Sequence, residues 1–178
     1  HSEMPEQQEG RMRGFQLWVN LPAREKMTAP KYQEYGPERF PDVEAAPGVR
    51  AKVIAGEVAG VRGPIEQPAT EPTYLDLQLG AGDRYVHPLP AGHSAFAYVY
   101  EGSARLGEGP DAATVPAREL AIRGEGGAVA IEGREAGTRL ILVAGKPLRE
   151  PVARYGPFVM NTQAEIRQAF EDFHAGRF

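Results

Sequence analysis

The chain has 178 residues, 42% apolar and 25% charged, enough to bury one substantial core or two lobes that share it. Its 20 basic and 24 acidic residues leave a net charge of −4, without the basic surplus that phosphate neutralisation demands, so direct contact with nucleic acid is not expected. Cysteine is absent, which excludes disulfides, thiolate metal sites and thiol nucleophiles and leaves only His, Asp and Glu to hold a metal. No run approaches the roughly 18 consecutive apolar residues of a membrane span, and the N-terminus lacks the basic-then-apolar order of a secretory signal. A soluble, cytoplasmic protein with no membrane partner is expected. Twenty-one glycines and 16 prolines, about a fifth of the chain, imply many turns and favour a β-rich fold over a helical bundle.

Residues 1–13 (HSEMPEQQEGRMR) are polar and read as a cut connection, and His1 in place of Met marks the chain as a piece of something longer. The run GFQLWVNLP that follows predicts a strand over 14–21, with Phe15, Leu17, Val19 and Leu21 on one face. Residues 23–50 hold Pro30, Pro37, Pro41 and Pro47 among Tyr32, Tyr35 and Phe40, too broken for a long helix and too aromatic for a free linker. They are expected to form an ordered crossover on a surface.

Beyond it, strands are predicted at 50–55, 73–79, 84–89, 95–101, 103–106, 119–122, 128–132 and 139–144, spaced as in sandwiches and barrels. Leu75, Leu77 and Leu79 alternate with Tyr74, Asp76 and Gln78, the period of a strand with one buried face. GEGPD at 107–111 and GEGG at 124–127 mark turns. One helix is predicted at the C-terminus, capped by Asn161 or Thr162 with Glu165 as capping-box partner, its stripe made by Ile166, Ala169, Phe170 and Phe173 and its end marked by Gly176. That stripe and the strand over 14–21 both call for partners, and the chain is expected to dimerise through them or to borrow a neighbour's strand.

Three blocks, GRMRGFQLWVNLPAREKMTAPKYQ at 10–33, GHSAFAYVYEGS at 92–103 and YGPFVMNTQAEI at 155–166, resemble the pirin family of the cupin superfamily, in the family's order and over essentially the whole chain. The resemblance implies an all-β fold: a jelly-roll-like cupin β-barrel with a C-terminal α-helix, plus the remnant of a second cupin barrel. It implies three segments: 1–55 as the remnant of the N-terminal cupin domain and crossover, 56–148 as the complete C-terminal barrel, and 149–178 as a tail and helix packing back on the N-terminal domain. Pirins carry iron(II) on three His and one Glu of the N-terminal barrel, in a His-x-His pair and a later His-x-Glu pair within a segment reading HSEMP. Here His1 and Glu3 match the second pair, and the first pair is not in the chain.

At positions i and i+2 of an extended segment, His1 and Glu3 point to one side, so that both can reach a metal at about 2.0 to 2.2 Å. A nitrogen-rich set with one carboxylate suits iron(II) and leaves positions open. Two ligands on a chain end lack preorganisation, so iron is expected to be weakly bound or absent in this chain alone. Glu3 has two readings: a carboxylate that leaves the metal and accepts the proton of a flavonol hydroxyl, or a permanent ligand with no base role.

In the C-terminal barrel, Gly82 to Gly107 echoes the first cupin motif, but residues 108–160 contain no histidine and the ligand set cannot be completed. His87 and His93 are therefore read as structural or surface residues. Trp18, Tyr32, Tyr35, Tyr98 and Tyr100 either line a flavonol pocket or fill a core or interface. Two functions follow from the resemblance. One is an iron-dependent quercetin dioxygenase as the full-length parent, with this chain inactive and a flavonol-like molecule as ligand. The other is a non-catalytic, metal- or redox-sensing regulator that binds a transcription factor or a metabolic enzyme.

Overall fold

The computed structural model describes residues 9–10, 12–123 and 126–177. His1 and Glu3 lie outside the described residues. The chain divides into two compact units, one of residues 22–151 and one joining the residues up to Leu21 with those from Val152 onward.

Fourteen strands are formed among the described residues. The first unit contains β1 (Asp42–Ala46), β2 (Val49–Ala55), β3 (Glu57–Val58), β4 (Val61–Arg62), β5 (Thr73–Leu79) and β6 (Arg84–Pro88). It continues with β7 (Ser94–Glu101), β8 (Ser103–Leu106), β9 (Ala113–Pro116), β10 (Glu119–Arg123), β11 (Ala128–Gly133) and β12 (Thr138–Gly145). The second unit adds β13 (Ala153–Tyr155), β14 (Phe158–Met160) and a helix, α1 (Gln163–His174).

Two antiparallel sheets build the first unit. One has six strands in the order β1-β2-β5-β12-β7-β10, and the other four in the order β6-β11-β8-β9. The chain passes back and forth between the sheets, and β9 also meets β10 and β7 across the edge, the jelly-roll pattern of a cupin. The alternation in each strand decides which side chains face inward. Leu75, Leu77 and Leu79 of β5 pack beside Leu140 and Leu142 of β12 and Ala97 and Val99 of β7, while Val129 and Ile131 of β11 and Ala104 and Leu106 of β8 face them from the smaller sheet. These aliphatic side chains form one contiguous core.

The eight strands expected between residues 50 and 144 are all present, with ends within one or two residues of those expected. β2, which precedes residue 56, belongs to the six-stranded sheet and is hydrogen-bonded to β5 along Arg50 to Ala55. The segment 23–50, expected as an ordered crossover on a surface, supplies β1 and the start of β2 at its end. β1 escaped the sequence reading because DVEAA is poor in β-branched residues and occupies a sheet edge, and β9 because ATVP is short and ends in proline.

The strand expected over 14–21 is not formed. Residues 12–22 carry no regular structure, and Phe15, Trp18 and Val19 are largely exposed. Alternating hydrophobicity selects a face, but a strand also needs a neighbouring edge to exchange hydrogen bonds with, and no ladder takes this segment up.

In the second unit the helix forms as its sequence requires. Thr162 Oγ1 accepts from the Glu165 N–H at 3.2 Å and Glu165 Oε2 accepts from the Thr162 N–H at 2.7 Å, the complete capping box. Its apolar stripe is not wholly unpartnered, as the sequence led one to expect. Ile166 and Ala169 are buried, and Phe158 of the β13–β14 hairpin meets Phe170 edge to face at 5.0 Å and Phe173 at 6.1 Å.

Leu142, wholly buried in the central strand of the six-stranded sheet, and Ile122, 80% exposed on the edge strand β10, give opposite outcomes on truncation. Leu142→Ala is expected to lower unfolding free energy by about 2 to 5 kcal/mol, and Ile122→Ala by no more than about 0.5 kcal/mol. Urea denaturation of the two variants checks this.

Candidate functional site

The aliphatic filling gives out where the β2–β5 connection, residues 56–72, meets the end of β6 and the turn before β7. There the first unit holds a cavity of about 560 Å³. Its apolar walls are Ile65, Pro68, Pro72, Pro88 and Pro90, and its polar groups come from Glu57, Arg62, Glu66, Gln67, Glu71, Thr73, His87 and His93.

The connection is held in place by its backbone. The Gly63 N–H donates to Gly56 O at 3.0 Å and the Ile65 N–H to Ile54 O at 3.2 Å, which ties the cavity wall to the end of β2. A side chain at Gly63 would place its Cβ 2.5 Å from the Ile54 carbonyl carbon, so this approach requires glycine. Between these ties runs the β3–β4 hairpin, whose turn residues Ala59 and Gly60 both take positive φ, at 50° and 79°, as a tight hairpin turn needs. The hairpin register sets Glu57 opposite Arg62, and the guanidinium Nε lies 2.8 Å from Glu57 Oε2.

His87 reaches the cavity because β6 alternates. Tyr85 and His87 are buried while Arg84, Val86 and Pro88 are exposed. Two residues apart on one face, the Tyr85 hydroxyl and His87 Nδ1 share a hydrogen bond of 2.9 Å. Burial, which leaves His87 only 3% exposed, pushes its pKa below the ordinary 6.5 and keeps the imidazole neutral at pH 7. The same burial raises the Tyr85 phenol.

His93 is fixed by the turn Pro90-Ala91-Gly92, its N–H donating to Pro90 O at 3.1 Å. Its side chain is 3% exposed, its Nδ1 has no hydrogen-bond partner in the protein, and its Nε2 lies 3.9 Å from Glu71 Oε2. That separation is too long for a direct hydrogen bond. Glu71 Oε1 is in turn 3.9 Å from Lys146 Nζ. Glu71 sits in the left-handed region at φ 44°, a conformation that costs a non-glycine residue free energy and is held here by its N–H donating to Gln67 O at 2.8 Å. The adjacent Thr70 hydroxyl, also buried, has no partner.

These positions decide between the structural and the surface reading of the two histidines. Neither His87 nor His93 is a surface residue, and each presents an imidazole to the same cavity. The sequence offered one cue, the i, i+2 spacing of Tyr85 and His87 within a predicted strand. Glu71 carried no such cue, because only the folded connection brings it beside His93. None of Trp18, Tyr32, Tyr35, Tyr98 and Tyr100 lines this cavity. Trp18 and Tyr32 are largely exposed, Tyr35 stands edge-on to Phe40 at 6.2 Å, and the Tyr100 hydroxyl donates to Asp76 Oδ1 at 2.7 Å. Burial and that carboxylate push the Tyr100 phenol far above its ordinary value.

Among the described residues no group of three or more His, Asp or Glu is placed to hold a metal ion. The barrel interior is lined by aliphatic side chains, which donate nothing to a cation. The described barrel therefore does not fit iron, and His1 and Glu3 lie outside the described residues.

The family described as the pirin C-terminal cupin domain matches residues 74–178. A Pseudomonas aeruginosa protein provisionally named a quercetin 2,3-dioxygenase is 49% identical over 180 residues, which cover 99% of this chain and 62% of that protein. Human pirin is 40% identical over 174 residues, covering 97% of this chain and 59% of pirin. The crystal structure of a quercetin 2,3-dioxygenase from Acinetobacter baumannii superposes with a TM-score of 0.82 at 36% identity, over 90% of this chain and 55% of that one. The chain thus spans about six-tenths of the length of the relatives it matches.

The His87 environment fixes a pH dependence. As pH falls, the unfolded chain's imidazole protonates first, near 6.5, and the folded one only at lower pH. Between those two values the unfolded state binds more protons, so the contribution of His87 to stability is complete above 6.5 and lost as pH drops below it. NMR titration of the His87 ring is expected to give a midpoint below 6.5, and His87→Gln is expected to flatten the fall in thermal midpoint between about pH 6.5 and 5.

Proposed function

Because the chain belongs to the pirin family of cupin proteins, we propose that the full-length protein is an iron(II)-dependent dioxygenase of quercetin-like flavonols, and that this chain contributes half of its metal site and the whole of its second, aliphatic-filled barrel. The observation that carries this reading is the 49% identity, over nearly the whole chain, with the provisionally named quercetin 2,3-dioxygenase of P. aeruginosa. The similarity in fold and sequence to the A. baumannii quercetin 2,3-dioxygenase supports the same reading.

In this proposal the His1 imidazole and the Glu3 carboxylate are two of the four iron donors. One nitrogen and one oxygen donor, joined by further imidazoles from the preceding barrel, make a set suited to iron(II) with positions left open for small ligands. Iron bound there would supply the one-electron chemistry with dioxygen that protein side chains do not provide. Glu3 either holds the metal throughout or receives the proton of the flavonol hydroxyl on its carboxylate oxygen. This chain by itself, with two donors on one end, is inactive and binds iron weakly. A cytoplasmic location belongs to the same reading. Among the described residues no helix is long and apolar enough to cross a membrane.

The test uses the full-length protein loaded with iron(II). Oxygen uptake is expected on addition of quercetin, and His1→Ala is expected to remove both the iron, by metal analysis, and the uptake. Glu3→Gln distinguishes the two roles of the carboxylate, since iron retained with uptake lost marks it as the base. Full iron occupancy without oxygen uptake overturns the dioxygenase reading in favour of a regulator that senses metal and acts by contact with a transcription factor or metabolic enzyme.

A further inference from the structure

We propose that the cavity at the end of the C-terminal barrel is a binding site for an uncharged, hydroxyl-bearing small molecule, held between His93 and Glu71. The proposal rests on the geometry of residues 56–93 and is independent of any activity at His1 and Glu3.

Four observations converge on it. The volume, about 560 Å³, falls in the range of small-molecule sites and exceeds what one or two solvent molecules occupy. Part of its wall is rigid and apolar: four prolines and Ile65 offer CH surfaces, and the proline rings lose little rotamer freedom when a ligand packs on them. His93 is almost fully buried, its Nδ1 has no partner in the protein, and its Nε2 stands 3.9 Å from Glu71 Oε2, a gap between two polar groups that no protein atom bridges. Facing it, Glu71 is held in a strained backbone conformation, and such strain concentrates at binding sites, where the surrounding structure maintains it for function.

The chemistry of the ligand follows from the distances and charges. His93 Nε2 and Glu71 Oε2 are 3.9 Å apart, and one oxygen atom can lie about 2.8 Å from both. That oxygen must donate to a carboxylate and also accept from an imidazole N–H, and a neutral hydroxyl does both. A carboxylate or phosphate ligand is disfavoured. Arg62 is committed to Glu57, Lys146 lies by the other oxygen of Glu71, His87 is neutral, and Glu66 adds a further negative charge. His87, its Nδ1 occupied by Tyr85, also lines the same cavity.

Hydroxyls of this kind come from a flat phenol or from a polyol, and two probes separate them. The full chain, freed of metal with EDTA, is titrated with catechol and with glucose while the ring signals of His93 and His87 are followed by NMR. Saturable shifts of both rings with one probe are expected, and the probe that produces them names the source. Glu71→Gln, at a half-exposed side chain, is expected to keep the thermal midpoint and to weaken that binding by about tenfold or more. The conservative Glu71→Asp is expected to recover part of the affinity. If neither probe shifts the two rings at millimolar concentration, or if Glu71→Gln binds as tightly as the parent chain, the proposal falls.

Discussion

The close packing of leucine, valine and isoleucine side chains between the six-stranded and four-stranded sheets is the constraint on which the rest of the molecule depends. Leu75, Leu77, Leu140, Leu142, Val99 and Val129 are wholly or almost wholly withdrawn from water. Interiors of this kind are packed as tightly as organic crystals, so they admit neither a cation nor a ligand without rearrangement. The filling therefore determines two things together: it holds the jelly roll closed, and it moves the polar chemistry of the barrel to its ends. Thr138 illustrates the second effect at the β7–β8 end. Buried completely, its hydroxyl lies 2.8 Å from Glu135 O and 3.0 Å from Ser103 O and so satisfies a chain reversal that water does not reach.

At the opposite end the same logic produces a different result. The connection from β2 to β5 is too long to follow the core, and the Gly63 and Ile65 hydrogen bonds fold it back against the end of β2. What lies beneath it is a rigid proline-walled space with two buried imidazoles, not more core. The two imidazoles differ in a physically instructive way. His87 has a phenol partner and is locked in the neutral form by burial, whereas His93 has only a carboxylate beyond hydrogen-bond reach. A cupin barrel that has no metal-holding cluster among its described residues thus still presents a polar site, built from its connection and not from its strands.

The share of each relative's length that the chain covers bears on how its chemistry is divided. Residues 22–151 form a complete two-sheet unit by themselves, while the segment up to Leu21 groups with the hairpin and helix that follow Val152. The helix shows how locally that second unit is specified. Thr162 and Glu165 satisfy each other's backbone donors, and Phe158, Phe170 and Phe173 associate edge to face within a span of 16 residues.

Sequence alone determined the strands whose pattern is strong enough to stand without context. Leu75-x-Leu77-x-Leu79 and the aromatic alternation at 95–101 fix both their conformation and their inward face, because a period of two cannot be satisfied any other way when one face must be dry, while the run at 139–144, unbroken in apolar residues from Leu140, is legible as a strand buried on both faces. The capping box at 162–165 was legible for the same reason, since its partners are three residues apart. Family resemblance, carried by blocks spread along the chain, gave the cupin fold. Tertiary structure alone decided that the alternating run at 14–21 remains outside any sheet, that the weakly patterned 42–46 joins one, and that His87 and His93 share a cavity with Glu71. Each of these depends on a partner distant in sequence: an available edge for a strand, or a folded connection that brings a carboxylate to an imidazole 22 residues away. Local periodicity holds no information about such meetings, because their free energy is realised only once the two sheets have closed.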